Sequence, residues 1–372
     1  MTINENILKS GERIALQLRA LYHGYGYTQY KMSKFEEYDL YARNKDFLIS
    51  DNVITFTDTN GKLMALKPDV TLSIVKNTKE EQGLRKVYYD EHVYRISGSS
   101  RSYREIPQVG LECIGDIDDY AVAEVLMLAA ESLSRISPDY VLDISQLDIV
   151  SAVIDTMKVD ADTRSALLVA VGEKNLHSIR ELCADSELLC RLVSLQGDPT
   201  RVIPALEEML TGQEALTAVK RLSRVVAALN ACDYEKHIRI DFSVVDNMSY
   251  YNGIVFKGFV NGVPERVLSG GQYDRLMRKM NKKAGAIGFA VYLDLLERLW
   301  ERSGQVDVDT VLLYDDTTDL GFLMEQVQSA NAVSIGPISQ FLIVRELPKG
   351  IRYTRLLRMT ENRVEAINED DA

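Results

Sequence analysis

The stretch that decides the fold is residues 95–115, RISGSSRSYREIPQVGLECIG, and it is completed by residues 250–256, YYNGIVF. Gln108 and Glu112 lie four residues apart in a run with strand-forming composition. Because side chains alternate between the two faces of a strand, both should point to the same face of one sheet. The two segments therefore place a glutamine, a glutamate and a pair of tyrosines on predicted strands.

The rest of the chain alternates between helical and strand patterns. Residues 119–135 repeat apolar side chains every three to four positions, which predicts an amphipathic helix. Residues 28–115 contain short β-forming runs separated by turn signals, and similar runs return at 238–245 and 254–260. Residues 148–230 are almost wholly helical in pattern. Strands with helices between and beside them indicate an α+β fold around a largely antiparallel sheet.

The pattern divides the chain into two predicted domains. The first covers residues 1–304 and contains residues 148–230 as a helical insertion, interrupted once at Gly197-Asp198-Pro199. The second covers residues 305–372, where strand and helix patterns alternate, and we expect a small C-terminal α/β unit.

Composition indicates a cytoplasmic globular protein. The net charge is -12 over 372 residues, and the basic residues are scattered among acidic ones, so we expect no nucleic-acid partner. No run approaches the ~18 apolar residues of a membrane span, and we expect no membrane association. The four cysteines and four histidines are dispersed, which argues against disulfides and a metal site.

Together, residues 95–115 and 250–256 resemble the amino-acid pocket of histidyl-tRNA synthetase, a class II aminoacyl-tRNA synthetase. Ordered motifs extend the resemblance over residues 5–302. Among them, residues 57–71, TDTNGKLMALKPDVT, are similar to the family's strand-turn-strand followed by Arg-Pro-acid-x-Thr. The resemblance implies that family's fold, an antiparallel sheet flanked by helices.

The resemblance also implies a histidine pocket. Asp69 and Thr71 match the family's residues for the substrate's α-amino group, and a carboxylate pairs strongly with an ammonium. Gln108 matches a contact to the amino-acid backbone, while Glu112 and Tyr251 match the two partners of the imidazole nitrogens. The complete predicted histidine site is Asp69, Thr71, Arg95, Gln108, Glu112, Tyr250, Tyr251 and Tyr273.

Each motif taken alone has a plainer interpretation. Asp69 could cap a helix that starts near Thr71. An adjacent pair such as Tyr250 and Tyr251 is common in ordinary strands. The basic residues within 278–283 are most simply a solvated surface. The agreement of several motifs in order favours the pocket.

The nucleotide side of the resemblance departs from the family. Asp246, Gln272 and Leu295 stand where the family carries arginines, and Ser33 stands at a proline position of the first motif. Losing even one good donor to a developing charge costs about 3 kcal/mol of transition-state stabilisation. The resemblance therefore implies a pocket that binds histidine without cofactors and does not activate it.

This combination resembles the synthetase-like regulatory subunits of ATP phosphoribosyltransferase. It implies a non-catalytic subunit that a short-form catalytic subunit needs for activity and for histidine feedback in the first step of histidine biosynthesis. A homodimer paired through the motif around Phe35 and Glu36 is expected. Two alternatives stay open. One is a histidyl-tRNA synthetase or related amino-acid-activating ligase with an altered site; the other is a structural paralogue in which Asp246 repels the ligand's carboxylate.

Overall fold

The computed structural model describes residues 8–45, 48, 53–79, 83–96, 102–245, 250–296, 307–332, 341–361 and 363–368. The chain divides into two compact units, one formed by Ile14–Leu296 and the other by Met1–Arg13 with Glu297–Ala372. The boundary expected at residue 304 lies outside the described residues.

Two sheets form the frame of the larger unit. Their strands are β1 (Thr28–Gln29), β2 (Phe35–Glu37), β3 (Thr55–Thr57), β4 (Leu63–Leu66), β5 (Arg85–Ile96), β6 (Tyr103–Gly115), β7 (Tyr140–Gln146), β8 (Gln196–Gly197), β9 (Ile238–Asp241), β10 (Asn252–Val260), β11 (Leu268–Gln272) and β12 (Gly285–Tyr292). One sheet has the order β1-β5-β6-β12-β11-β10-β7-β9-β8, and the other has the order β2-β4-β3. In the large sheet only the pairs β1/β5 and β7/β9 are parallel. The largely antiparallel sheet predicted from the sequence is confirmed.

Helices flank this sheet. They are α1 (Ser10–Gly24), α2 (Tyr38–Ala42), α3 (Thr71–Asn77), α4 (Asp119–Ile136), α5 (Leu147–Thr156), α6 (Ala161–Gly172), α7 (Leu176–Leu182), α8 (Glu187–Ser194), α9 (Pro199–Met209), α10 (Gln213–Asn230) and α11 (Asp274–Lys279). Asp118 starts α4 by accepting a hydrogen bond from the backbone N–H of Ala121. The apolar face of α4 then packs on β10 and β12, and α10 packs on α4 and α5.

Strands β5 and β6 contain the described residues of the segment 95–115 except Ser102. The two strands pair from Arg85 opposite Ile114 to Ile96 opposite Tyr103. On its other edge β6 pairs with β12, where Glu112 lies opposite Gly288. This pairing places the predicted glutamine and glutamate inside the sheet rather than at an edge.

Six helices lie within residues 147–230, the segment in which the sequence predicts a helical insertion. Helices α5 to α10 fill Leu147–Asn230, but Gln196–Gly197 forms β8 and pairs with β9 at the edge of the large sheet. Gly197 has a φ of 115°, a conformation that glycine adopts readily. Asp198 then accepts from the backbone N–H of Thr200 and starts α9. The break therefore ties the insertion to the sheet.

The smaller unit is a four-stranded sheet with one helix. It contains β13 (Val308–Tyr314), α12 (Leu320–Ala332), β14 (Phe341–Val344), β15 (Tyr353–Thr360) and β16 (Arg363–Ala366), with sheet order β14-β13-β15-β16. β13 is parallel to both β14 and β15, whereas β15 and β16 are antiparallel. Val311 and Leu313 contribute to one apolar cluster and Leu312 to another, so this sheet is apolar on both faces.

The sequence predicts neither a membrane span nor a metal site. Among the described residues, no helix is long and apolar enough to cross a membrane. Within the same residues, no group of three or more His, Cys, Asp or Glu is arranged to hold a metal ion.

Candidate functional site

One cavity in the larger unit brings together every residue of the predicted site. It has a volume of about 300 Å³, at the lower end of the range for small-molecule pockets. The predicted residues that line it are Asp69, Thr71, Arg95, Gln108, Glu112, Tyr250, Tyr251 and Tyr273. They come from the start of α3, from β5 and β6, and from the segments beside β10 and β11. The fold therefore assembles the site from distant parts of the chain.

Glu112 is the central polar group of this cavity. It lies on β6 and is only 2% exposed. The Thr71 hydroxyl donates to Glu112 Oε1 at 2.7 Å, and the Tyr273 hydroxyl donates to Glu112 Oε2 at 2.6 Å. A Cβ atom at Gly288, on the neighbouring strand, would overlap Glu112 Oε2. The glycine leaves the space that the carboxyl group occupies, and the two hydroxyls fix its orientation.

Burial controls the protonation of Glu112. Desolvation raises the pKa of this carboxyl group to about 8, although the hydrogen bonds from Tyr273 and Thr71 oppose the rise. Glu112 is therefore mostly protonated at neutral pH while the cavity holds no charged partner for it. A protonated carboxyl group can donate as well as accept, so it can pair with either nitrogen of a neutral imidazole.

Asp69 stabilises a helix start and also lines the cavity. Its Oδ1 atom accepts from the backbone N–H of Leu72 at 2.9 Å, which stabilises the first turn of α3. The same carboxyl group lines the cavity. Burial raises the pKa of Asp69, while the Leu72 N–H and the charge of Arg95 oppose the shift. The residue is thus a helix cap that also faces the cavity.

Gln108 presents an unused donor to the cavity. The side chain is 3% exposed, and its Nε2 atom has no hydrogen-bond partner among the residues that the structure describes. Leaving a buried donor unpaired costs about 1 to 3 kcal/mol, so such groups usually meet a water or a ligand. An acceptor on a bound ligand would satisfy Gln108.

The three tyrosines form a continuous aromatic wall. The rings of Tyr250 and Tyr251 are 4.5 Å apart between centroids, and those of Tyr250 and Tyr273 are 5.8 Å apart. Tyr250 and Tyr273 are buried, whereas Tyr251 is half-buried. An aromatic wall beside a carboxyl group suits a flat, polar ring such as imidazole.

Several lining residues were not predicted from the sequence. They are Leu48, Val70, Tyr89, Arg266, Ser269, Gly288, Phe289, Ala290 and Tyr292. Ser269 and Ala290 are paired across β11 and β12, so strand alternation could have found them once the register was known. Arg266 precedes β11 and belongs to no periodic pattern, so no feature of the sequence marks it as a lining residue.

A second cavity of about 420 Å³ adjoins the first and shares Arg95, Arg266 and Tyr292 with it. Leu295, which stands at a family arginine position, lines this second cavity. Arg104 lines it as well and forms a salt bridge of 2.7 Å with Asp294. A leucine here offers an apolar surface where an arginine would offer donors.

The other departures from the family lie elsewhere. The Gln272 side chain lines neither of these two cavities. It is 2% exposed, and its Oε1 atom accepts from the backbone N–H of Ile254 at 3.0 Å, so it joins β11 to β10. Asp246 lies outside the described residues. Ser33 accepts from the backbone N–H of Phe35, a local turn contact.

A basic cleft lies on another part of the same unit. It has a volume of about 920 Å³, and its charged lining residues are Lys79, Arg85, Lys86, Asp116, Asp274, Arg278, Lys282 and Lys283. The sequence shows these residues in separate segments and gave no sign that they meet. Lys86 is paired with Glu124, and Lys282 donates to the carbonyl oxygen of Thr78 at the end of α3. Cations at a helix C-terminus stabilise the helix, which accounts for part of the cluster.

The fold and the site together define a class: a protein with a class II aminoacyl-tRNA synthetase-like core and a pocket of amino-acid size. Comparison with known families identifies the family within this class. The family model described as histidyl-tRNA synthetase matches residues 4–296, and the chain belongs to this family.

Individual relatives point in the same direction. The chain is 28% identical over 304 residues to the ATP phosphoribosyltransferase regulatory subunit of Oceanobacillus iheyensis, covering 78% of this chain and 74% of that one. A structure of an ATP phosphoribosyltransferase regulatory subunit/histidyl-tRNA synthetase from Bacillus halodurans C matches with a TM-score of 0.76 and 23% identity, covering 94% of this chain and 93% of the other. A chain of the ATP phosphoribosyl transferase (HisG:HisZ) complex from Thermotoga maritima matches with a TM-score of 0.62 and 18% identity, covering 77% and 97%. The resemblance to regulatory subunits seen in the sequence is confirmed.

Proposed function

We propose that this chain is a regulatory subunit of ATP phosphoribosyltransferase that binds histidine in the 300 Å³ cavity and catalyses no reaction itself. The observation that carries the proposal is the cavity around Glu112, which is lined by all eight predicted residues while Leu295 faces the adjoining space. The names of the relatives support the regulatory role. The partner is a short-form catalytic subunit.

The cavity offers a complementary group for each polar part of histidine. Glu112 pairs with the imidazole, and the aromatic wall supports the ring. Asp69 attracts the α-ammonium group, and the Thr71 oxygen can accept from it while the Thr71 hydroxyl donates to Glu112. Gln108 Nε2 is a donor available to an oxygen of the ligand.

The proposed lack of catalysis follows from the chemistry of the adjoining cavity. Activation of an amino acid places a triphosphate next to the carboxylate, and its negative charge must be stabilised by positioned donors. Leu295 has none to offer. The competing function is amino-acid activation. It is suggested by the family description, histidyl-tRNA synthetase, and by the name of the Bacillus halodurans structure. It requires that other residues of the cavity replace the missing arginine.

We further propose a homodimer that forms through the three-stranded sheet. Phe35, Phe56 and Leu63 are 49%, 37% and 46% exposed, and all three belong to this small sheet. The Phe35 and Phe56 rings pack edge to face at 5.3 Å, so they form a contiguous apolar surface. Such a surface favours burial against a partner, and a two-fold contact is the commonest arrangement.

Calorimetry with histidine in the absence of ATP tests the binding proposal. We expect Glu112→Ala to weaken binding by one to two decades, because it leaves the imidazole unpaired at a cost of about 1 to 3 kcal/mol. Glu105→Ala is the matched control, since Glu105 lies on the same strand, is exposed and does not line the cavity. Equal affinity of wild type and Glu112→Ala would show that the imidazole is not bound there.

Exchange of pyrophosphate into ATP separates the two functions. We expect no histidine-dependent exchange above a control without protein. Robust exchange would establish activation and reject the non-catalytic proposal.

A further inference from the structure

The candidate cavity has carboxyl groups at one end and guanidinium groups at the other. Asp69 and Glu112 line this cavity and not the adjoining one, whereas Arg95 and Arg266 line both. The two arginines therefore lie where the cavities meet, and these two carboxyl groups lie away from that junction. A ligand with an ammonium group and a polar ring at one end and an anion at the other would match this arrangement.

Strand register gives the approximate separation of Arg266 from Glu112. Glu112 lies opposite Gly288, and Tyr292, four residues farther along β12, donates its backbone N–H to the carbonyl oxygen of Val267. Arg266, which precedes Val267, is therefore about five residues along the strands and two strands across from Glu112. These steps correspond to about 16 Å and about 10 Å, or about 19 Å in a straight line between Cα atoms.

This distance suits a single amino acid held between the two side chains. Histidine spans roughly 6 Å from its outer imidazole nitrogen to its carboxylate, and glutamate and arginine side chains together reach about 10 Å from their Cα atoms. Two hydrogen bonds of about 2.8 Å each extend the total reach to about 21 Å, which covers the separation. If Glu112 pairs with the imidazole, the carboxylate of the same ligand comes within reach of the Arg266 guanidinium. A planar guanidinium can donate two parallel hydrogen bonds to a carboxylate.

The neighbouring cations lie at other positions around the junction. Arg95 is held by a hydrogen bond from its Nε atom to the carbonyl oxygen of Pro68, at 3.0 Å. Arg104 and Lys257 line only the adjoining cavity, and Arg104 is paired with Asp294. Arg266 is the arginine that enters the shared junction from the β11 side of the sheet.

We propose that Arg266 binds the α-carboxylate of the ligand and makes the cavity selective for free amino acids over analogues that lack this group. The proposal rests on the proposed histidine binding and assigns the anchoring role to a residue outside the synthetase-like motifs. The plainer interpretation is that Arg266 is a half-buried rim residue whose charge only improves solubility. That interpretation predicts no effect on ligand selectivity.

The test is a comparison of histidine with histidinol, which has a hydroxymethyl group in place of the carboxylate. Calorimetry is performed with wild type, Arg266→Met, Arg266→Lys and Arg104→Met. Arg104→Met is the matched control, because it removes the same charge from the adjoining cavity. Thermal melts verify that each variant is folded.

We expect wild type to prefer histidine over histidinol by 10-fold or more. Arg266→Met should bind histidine about 10-fold more weakly than wild type and keep its affinity for histidinol, so that the preference for histidine disappears. Arg266→Lys should keep part of the preference, since it retains the charge without the planar fork, and Arg104→Met should match wild type.

Two results would overturn the assignment. The first is a preference for histidine over histidinol that persists in Arg266→Met. The second is an equal loss of affinity for both ligands in that variant. Failure of wild type to bind histidine at all would reject the proposed function itself, and the assignment of Arg266 with it.

Discussion

The raised pKa of Glu112 predicts a specific pH dependence of histidine binding. The pKa is about 8 in the empty cavity, and a free imidazole has a pKa of about 6.5. In the bound pair, one proton lies between the carboxyl group and the ring. Between these two values the separate partners already hold one proton in total, so binding neither takes up nor releases a proton.

Outside this window the affinity should fall on both sides. Above pH 8 the pair must take up a proton, and below pH 6.5 it must release one. Each costs about 1.4 kcal/mol, or tenfold in affinity, per pH unit. We therefore expect a plateau between about pH 6.5 and pH 8 with a decline on either side.

Calorimetry in buffers of different ionisation enthalpy counts these protons directly. Glu112→Gln is the matched variant, because it keeps the shape and hydrogen-bonding capacity of the side chain but does not titrate. The α-amino group of the ligand also titrates at alkaline pH, and the variant corrects for it. At pH 9 wild type should take up close to one proton more than Glu112→Gln. Equal proton uptake by the two proteins would refute the argument.

The remaining predictions concern the space around Glu112 in the cavity, the stability of the protein and its assembly into dimers. Gly288→Ala should abolish histidine binding, because its Cβ overlaps Glu112 Oε2, and calorimetric binding of wild-type strength would contradict this. In the empty protein the pKa of Glu112 rises from 4.5 to about 8 on folding, so the folded state holds more protons and loses stability as pH rises through that range. At 1.4 kcal/mol per pH unit, the loss of unfolding free energy is on the order of 5 kcal/mol as an upper limit. Urea unfolding at pH 9 should therefore find Glu112→Gln more stable than wild type. Equal stability of the two proteins at that pH would exclude a raised pKa of Glu112. Phe35→Asp combined with Phe56→Asp should produce monomers in light scattering, whereas wild type should give twice the chain mass, and a dimeric double variant would place the contact elsewhere.

The sequence predicted the parts of the site that depend on local periodicity. Gln108 and Glu112 share a face because they lie an even number of residues apart on β6, and the structure confirms that both line one cavity. The motif containing Asp69 indicated either a helix cap or a ligand contact; the cap is present, and the same carboxyl group lines the cavity. That these residues bind histidine remains a prediction.

The features that the sequence did not reveal depend on contacts between strands. Arg266 reaches the cavity only because β11 lies two strands from β6. The hydrogen bond that Gln272 accepts from the backbone N–H of Ile254 also depends on the pairing of β11 with β10. The basic cleft likewise arises where the end of α3 meets the segment after α11. None of these contacts has a local signature.

The most direct test of the regulatory role is phosphoribosyl transfer by a short-form ATP phosphoribosyltransferase catalytic subunit, measured with and without this chain and histidine. We predict that mixing the two proteins increases the rate, that histidine reverses the increase, and that Glu112→Ala makes the complex insensitive to histidine. Linkage requires histidine affinity and partner activity to change together, with a coupling of typically ~1 to 3 kcal/mol. An unchanged rate on mixing, with no co-elution of the two proteins, would contradict the account.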